Sequence, residues 1–284
     1  MFGKLLKNDL KAQWHSVSTI FLCIFIVAGF AELLVTYSVN DVFGIWKGKE
    51  LVFVALGGIV VCVAMLFACI VILIAVAMLF SKTMFGRAGY LTLTLPVKTN
   101  SLVWSKTISG LVWTYITYMV FFGAFFLWIY QVGQCMGGDL QSMADQIFIL
   151  LFGTSLKTVF GLATYYLSWI AIAMFLLVQC LYFAITASHV KPLSYASPVF
   201  TIVIFFGLFA SVLGLSLAVN KFVPFGMLVD NDIITISTNV IKTKQESLPG
   251  SYTYVFSGPL FMLATSIGLS FPITALIKHK VNVK

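Results

Sequence analysis

Residues Leu51–Phe80 read LVFVALGGIVVCVAMLFACIVILIAVAMLF, a stretch in which no side chain is charged. A helix rises about 1.5 Å per residue, so about 20 apolar residues cross a hydrocarbon core of about 30 Å. This stretch is longer than that, and it lacks the polar stripe that a surface helix of a soluble protein carries. It is therefore predicted to be a transmembrane helix that tilts or extends past the membrane interface.

Five further stretches have the same character, and the six together predict an all-α membrane protein. They are Ser16–Tyr37, Val103–Val132, Val159–Ile185, Ser197–Val219 and Val255–Ile277. The composition agrees, because 61% of the residues are hydrophobic and only 9% are charged, against about one quarter charged in soluble domains. No segment between the spans is long enough for an independent globular domain. Residues 1–284 are therefore expected to form a single transmembrane domain.

Lysine and arginine are distributed unevenly between the two sides of this predicted bundle. Six spans put both termini on one side, where eleven basic residues accompany a single acid, Asp9. The other side carries six lysines and seven acids. Because loops rich in Lys and Arg stay in the cytoplasm, both termini are expected there, in a bacterial plasma membrane. Topology and attraction to anionic membrane lipid then explain the net charge of +8, and nucleic acid is not an expected partner.

The N-terminal residues 1–15 form an amphipathic pattern. Apolar side chains recur at helical spacing with lysines between them; they are Phe2, Leu5, Leu6, Leu10 and Trp14. This pattern favours an interfacial helix that lies flat on the cytoplasmic surface. The alternative is that these residues are the first turns of a longer transmembrane helix.

Two connections have features of their own. The cytoplasmic connection between the second and third spans, residues 82–102, is basic, and Lys82–Gly89 is compatible with a short helix before Pro96 blocks helix continuation. On the other side, the segment Asn220–Tyr254 contains a run rich in β-branched residues, Ile233–Ile241, which is an ambiguous local signal. Small elements that cap the spans are expected there.

Motifs for catalysis are missing from the sequence. The string nearest to a phosphate-binding loop, Gly44–Glu50, is one residue short and ends in an acid. The sequence has no zinc-protease motif and no serine-hydrolase motif, and its cysteines and histidines lack metal-site spacing. We therefore expect no enzymatic activity, cofactor or metal in this chain.

The sequence of the cytoplasmic connection is similar to a known family motif. Residues Pro96–Lys106, PVKTNSLVWSK, resemble the P-[VI]-x-[RK]-x-x-[ILV]-x-x-[GS]-K segment of ATP-binding-cassette type-2 permeases. The preceding Gly89–Leu95, GYLTLTL, resembles the Gly-x-Leu-rich stretch before that proline. The layout of six spans with an amphipathic N-terminal helix and cytoplasmic termini is also similar to that family.

The resemblance implies the permease subunit of an exporter that pairs with a second permease subunit, identical or different. A separate cytoplasmic ATPase subunit would bind ATP and Mg²⁺. In the family, the connection after the second span forms a coupling helix that docks on this ATPase. Carried over, the coupling element is Lys82–Leu95, and its contact residues are Lys82, Met84, Phe85, Arg87 and Tyr90. We expect the apolar members of this set to be exposed in the free chain. Apolar side chains that become buried against a partner on binding supply most of the binding energy.

Candidate pathway residues come from the first and third spans. Glu32 is an acid inside a span, where it would line a pathway, pair with another group or reach the interface. Thr107, Thr114 and Thr117 share one face of the third span, and such a face serves either helix packing or a pathway. A similar set of small residues recurs in the fifth span as Gly207, Ser211, Gly214 and Ala218. The 27 phenylalanines favour a hydrophobic or amphipathic substrate, such as a peptide or lipid-like molecule, over a wide ion pore.

Two other classes of protein remain open. A self-contained secondary transporter or channel places charged residues or broken helices near the membrane midplane, and here only Glu32 and Gln179 come close to that position. A membrane immunity or regulatory protein without transport activity would not need a connection that docks an ATPase. Retention of an ATPase subunit by the purified chain distinguishes these classes.

Overall fold

The computed structural model describes residues 2–39, 50–86, 98–135, 159–190, 197–230, 233–239 and 252–279. Helices dominate these residues, and a small sheet precedes the last helix. In chain order the elements are α1 (Phe2–Val39), α2 (Glu50–Met84), α3 (Thr99–Cys135), α4 (Val159–Ser188), α5 (Ser197–Phe222), β1 (Gly226–Asp230), β2 (Ile233–Ser237), β3 (Tyr252–Val255) and α6 (Ser257–His279).

Five helices within the described residues contain a stretch that is long and apolar enough to cross a membrane. The stretches are Phe2–Val27, Leu66–Met84, Leu167–Ser188, Pro198–Phe222 and Ser257–Lys278. The chain is therefore a helical membrane protein. The predicted third span lies in α3, which is not among the five stretches found within the described residues. The expectation of six spans stays a prediction.

The N-terminal segment is continuous with the first span, so a separate interfacial helix over residues 1–15 is wrong. Helix α1 runs without interruption from Phe2 to Val39. Neither glycine nor proline occurs between Lys4 and Val27 to end the helix. In addition, Gln13, Val17 and Ile20 are buried at helical spacing, so one face of α1 packs against protein through this region.

The chain divides into two compact units. The first unit consists of Met1–Asp9, Ala77–Leu111 and Thr158–Lys284, and the second of Leu10–Val76 and Val112–Lys157. The first unit therefore contains α4, α5, α6 and the sheet. In this unit the three helices pack on one another around a core of Leu176, Cys180, Val212 and Met262. Because lipid is as apolar as these side chains, close packing and not burial from water holds such helices together.

The three strands form one antiparallel sheet in the order β2-β1-β3. β1 pairs with β2 from Gly226 opposite Ser237 to Asp230 opposite Ile233, and its other edge pairs with β3. The β-branched run that was ambiguous in the sequence thus supplies strand β2. The small elements expected between the fifth and sixth spans are this sheet, although the fold class predicted from the sequence contained only helices.

The sheet is fixed to the end of α5 and the beginning of α6. Asn220, in the last turn of α5, accepts hydrogen bonds from the Ser257 hydroxyl at 2.9 Å and the Gly258 amide at 2.6 Å. These groups are among the backbone and side-chain donors that open α6, so Asn220 caps that helix from outside. A Cβ on residue 258 would lie 2.5 Å from Asn220 Nδ2, so a larger residue here would displace the Asn220 side chain from its capping position.

Helix α4 contributes a further contact to this region, through Tyr165. Its hydroxyl donates to the Val255 carbonyl oxygen at 3.0 Å, and its ring meets Tyr254 and Phe256 edge-on at centroid distances of 5.2 and 5.3 Å. We call this region, which contains the sheet, the sheet end of the first unit. The opposite end, where α1 begins and α4 ends, is called the N-terminal end.

Candidate functional site

A buried ion pair lies at the N-terminal end of the first unit. Lys106 Nζ of α3 is 3.2 Å from Asp9 Oδ1 of α1, and the side chains are only 6% and 15% exposed. The Ser105 hydroxyl donates to the other carboxylate oxygen of Asp9. Ionised groups in such surroundings are stable only when they are paired and hydrogen-bonded, and both conditions hold here. The pair therefore joins the second turn of α1 to the beginning of α3.

The backbone of Lys106 binds a third helix to the same place. Its carbonyl oxygen accepts a hydrogen bond from the Tyr182 hydroxyl of α4 at 3.1 Å and another from the Ser109 hydroxyl at 3.0 Å. Tyr182 is almost completely buried, and a buried phenol needs such a partner. Three helices thus meet at one residue.

An aromatic stack continues from Tyr182 to the end of α2. The Phe80 ring lies parallel to the Tyr182 ring, with centroids 3.9 Å apart and an interplanar angle of 10°. Phe85 meets Phe80 edge-on at 6.0 Å and stacks on the His189 imidazole at 4.3 Å. We define the N-terminal cluster as Asp9, Ser105, Lys106, Tyr182, Phe80, Phe85 and His189.

His189 terminates α4 within this cluster. Its Nδ1 lies 2.8 Å from the Ile185 carbonyl oxygen, and because a carbonyl oxygen only accepts, Nδ1 carries the proton. The neighbouring Ser188 hydroxyl also donates to that carbonyl at 2.9 Å and accepts from Thr201 of α5 at 2.7 Å. These contacts satisfy backbone groups that the end of a helix leaves open. Within the described part of the chain, no histidine belongs to a group that could hold a metal ion.

The structure corrects the expected exposure of two coupling residues. Met84 is 1% exposed and Phe85 is 8% exposed, so they do not present apolar anchors to a partner. The reason is that α2 extends through Met84 and directs both side chains into the bundle, where Phe85 finds the aromatic stack. Lys82 is exposed as expected. Arg87 and Tyr90 lie outside the described residues.

Helix α2 ends in a way that fixes where the connection begins. The amides of Phe85 and Gly86 both donate to the Ser81 carbonyl oxygen, at 2.9 and 3.2 Å. A Cβ on residue 86 would lie 2.6 Å from the Lys82 carbonyl oxygen, so a glycine is needed at this position. Glycine is the usual residue just past a helix end. The α2–α3 connection therefore begins at the buried Phe85.

The candidate pathway threonines of α3 fall in two different units of the chain. Thr107 belongs to the first unit, and Thr114 and Thr117 belong to the second. All three are buried, and the Thr117 hydroxyl donates to the Trp113 carbonyl oxygen of its own helix at 2.8 Å. Burial of the whole face favours helix packing, one of the two interpretations of this pattern. Glu32 lies on α1, and its side chain is outside the described part of the structure.

The small residues of α5 behave differently from those of α3. Gly207, Ser211 and Gly214 are exposed, and a Cβ on either glycine would meet nothing within 4 Å. Within the described residues, this face of α5 therefore contacts no other helix of the chain.

The second unit contains an apolar groove between α1 and α2, with a volume of about 550 Å³. Its polar lining groups among the described residues are the Thr19 hydroxyl and the Cys23 thiol, and the other lining residues are Ile20, Val27, Ile59, Val60, Val63, Ala64, Phe67, Ala68 and Val71. Ile59, Val63 and Phe67 are also strongly exposed, so the groove opens to the surroundings of the helices.

Sequence reasoning missed the Asp9–Lys106 pair, because it assigned both charges to the cytoplasmic surface and treated Glu32 as the one acid inside a span. One signal was present, since Lys106 lies inside the predicted third span. It also missed the buried state of Gln179, whose amide oxygen and nitrogen have no hydrogen-bond partner among the described residues.

No protein-family model, curated protein or solved structure matches this chain. The N-terminal cluster is therefore interpreted from its own chemistry.

Proposed function

We propose that this chain is the membrane subunit of an exporter driven by a separate cytoplasmic ATPase. The observation that carries this function is the aromatic stack from Phe85 through Phe80 to Tyr182. It joins the beginning of the α2–α3 connection to the buried Tyr182 of α4. An ATPase that moves this connection would act directly on the packed helices.

The transmission path has two parts. Rings in van der Waals contact resist compression, because protein interiors are close-packed, so displacement of Phe85 is passed to Phe80 and Tyr182. The Tyr182 hydroxyl and the Asp9–Lys106 pair then link α4, α3 and α1. Met84 and Phe85 serve in this scheme as internal anchors, whereas Lys82, Arg87 and Tyr90 contact the ATPase.

The partner subunits follow from the same scheme. ATP and Mg²⁺ bind to the ATPase, and this chain supplies no nucleotide site. A second permease subunit completes the pathway. The exposed small residues Gly207, Ser211 and Gly214 of α5 suit the close approach of another helix, because small side chains let helix backbones come together in a membrane.

The groove of the second unit supports a hydrophobic or amphipathic substrate. Its volume of about 550 Å³ lies within the range of about 300–1,000 Å³ that is usual for small-molecule sites, and its lining is almost entirely apolar. A hydrated ion would gain no polar contacts there, whereas an acyl chain or an apolar peptide side chain is compatible with the lining.

Coupling is tested with the chain co-expressed with each ATPase subunit of its own cell in turn. We expect one ATPase to co-purify and its hydrolysis rate to depend on the permease. Phe85→Ala should leave co-purification unchanged and reduce the permease-dependent rate at least tenfold, because the anchor is lost. Phe209→Ala is the matched control, since Phe209 stacks on Phe205 within α5 and lies outside the transmission path. If no ATPase is retained by the wild-type chain, this function is wrong.

A secondary transporter is the second candidate, and the buried Asp9–Lys106 pair favours it. Charged groups within a membrane bundle are typical of proton and ion pathways. The chain alone, reconstituted in proteoliposomes, would then move substrate in response to an ion or proton gradient without ATP. Transport that requires ATP and the partner subunit excludes this alternative.

A further inference from the structure

The first two turns of α1 present a cationic face away from the protein. Lys4 and Lys7 are exposed and lie three residues apart, which places them on the same side of the helix. Phe2 is also exposed and precedes Lys4 by two residues, which is less than one turn. Asp9 lies on the opposite side, because it is buried against α3.

The described acid nearest to this face, Asp9, is neutralised by a contact inside the protein. Within the described residues, Asp9 is the one acid at the N-terminal end of the first unit, and it is bonded to Lys106 and Ser105. Another exposed lysine, Lys278, lies at this end because α6 begins at the sheet end and finishes here. Among the described residues, the charged side chains exposed at this end are therefore all lysines.

We propose that Lys4, Lys7 and Lys278 bind the headgroups of anionic phospholipids. Lys278 is the last residue of an apolar stretch that can cross a membrane, and Lys4 and Lys7 lie at the beginning of another. Lysines at the ends of such stretches lie at the depth of lipid phosphates, and their flexible stems extend toward them. The lipid phosphate is thus the nearest anion, and Phe2 packs among the upper acyl carbons.

The test uses the full chain in detergent micelles that contain equimolar phosphatidylglycerol and phosphatidylcholine, with retained lipid counted by native mass spectrometry. We expect preferential retention of phosphatidylglycerol. Each lysine removed in the Lys4→Gln, Lys7→Gln and Lys278→Gln variants should lower the preference about fivefold. The Lys4→Arg and Lys7→Arg variants should keep it, because the charge is unchanged.

Asn8→Gln is the matched control, because Asn8 is exposed on the same turn of α1 as Lys7 and carries no charge, so the variant adds a Gln side chain without removing a cation. Its preference for phosphatidylglycerol should equal that of the wild-type chain. Equal retention of both lipids by the wild-type chain overturns the lipid site. An acidic protein would then be the better candidate ligand of this face. A preference that survives in the triple Gln variant, or that Asn8→Gln weakens as much, also overturns it. None of these outcomes depends on whether an ATPase drives the chain.

Discussion

Lys106 contributes both an ion pair and a backbone hydrogen bond to the packing of three helices. It is the last residue of the segment that resembles a permease motif, its ammonium pairs with Asp9, and its carbonyl oxygen accepts the Tyr182 hydroxyl. Because Asp9 lies on α1 and Tyr182 on α4, Lys106 of α3 joins three helices at the N-terminal end of the first unit. A substitution here affects charge and packing at once.

Replacing one member of the Asp9–Lys106 pair should destabilise the protein more than replacing both members. Either Lys106→Met or Asp9→Leu leaves one buried charge without its partner, and we expect a loss of about 3–5 kcal/mol in the free energy of unfolding. The double variant removes both charges and should recover most of that loss, because well-packed apolar residues replace a buried pair at little cost. Denaturation in mild detergent measures all three. Equal destabilisation by the single and double variants would show that the pair itself is not the source of the effect.

Helix ends position the cluster, and the end of α2 is the clearest case. The buried Met84 and Phe85 require the chain to turn immediately afterwards, and Gly86 permits that turn because no Cβ contacts the Lys82 carbonyl oxygen. A longer α2 would instead carry the residues after Phe85 onward along the helix axis. Helix termination therefore places the aromatic stack.

Gly86→Ala should destabilise the end of α2. The added Cβ would lie 2.6 Å from a backbone oxygen, so the turn must shift, and we expect a loss of about 1–2 kcal/mol. Gly268→Ala is the matched control, since a Cβ there meets nothing within 4 Å inside α6 and should stabilise by up to about 1 kcal/mol. Thermal unfolding of both variants measures the difference in sign. A neutral Gly86→Ala would contradict the described turn.

The hydrogen bonds from the beginning of α6 to Asn220 of α5 should stabilise the first turn of α6. Asn220→Ala removes the acceptor for the Ser257 hydroxyl and the Gly258 amide, so the first turn of α6 should fray. We expect a loss of about 1–2 kcal/mol, and faster amide exchange in α6 near Ser257 by mass spectrometry. Lys221→Ala, an exposed neighbour, should change neither quantity. Unchanged exchange in Asn220→Ala would rule out the cap.

At the scale of the whole molecule, the first unit contains the N-terminal cluster and the sheet, and the second contains the apolar groove. The proposed export function assigns transmission to the former and substrate contact to the latter. This division allows each role to be tested in its own unit.

Filling the groove should affect substrate without affecting the partner. In Ala64→Trp, a large ring occupies part of the groove volume of about 550 Å³, so stimulation of the bound ATPase by hydrophobic substrate should fall at least tenfold. Retention of the ATPase and its basal rate should remain at wild-type values. The control is Ala210→Trp, an exposed position on α5 of the first unit. Stimulation that persists in Ala64→Trp would exclude the groove as a substrate site.

The sequence by itself determined the class of the protein, because runs such as Leu51–Phe80 can satisfy their backbone polar groups in lipid only as helices. It also located the β-branched run that becomes β2, and it left open that residues 1–15 continue the first span. These features depend on neighbours along the chain.

Tertiary structure alone decided the pairing of Asp9 with Lys106 and the burial of Met84 and Phe85. In the sequence, a lysine or phenylalanine near a loop has the same local signals whether it faces lipid, water or another helix. Only the distant partner, on α1 for Lys106 and on α4 for Phe80, supplies the compensating charge or ring, and periodicity contains no information about that partner.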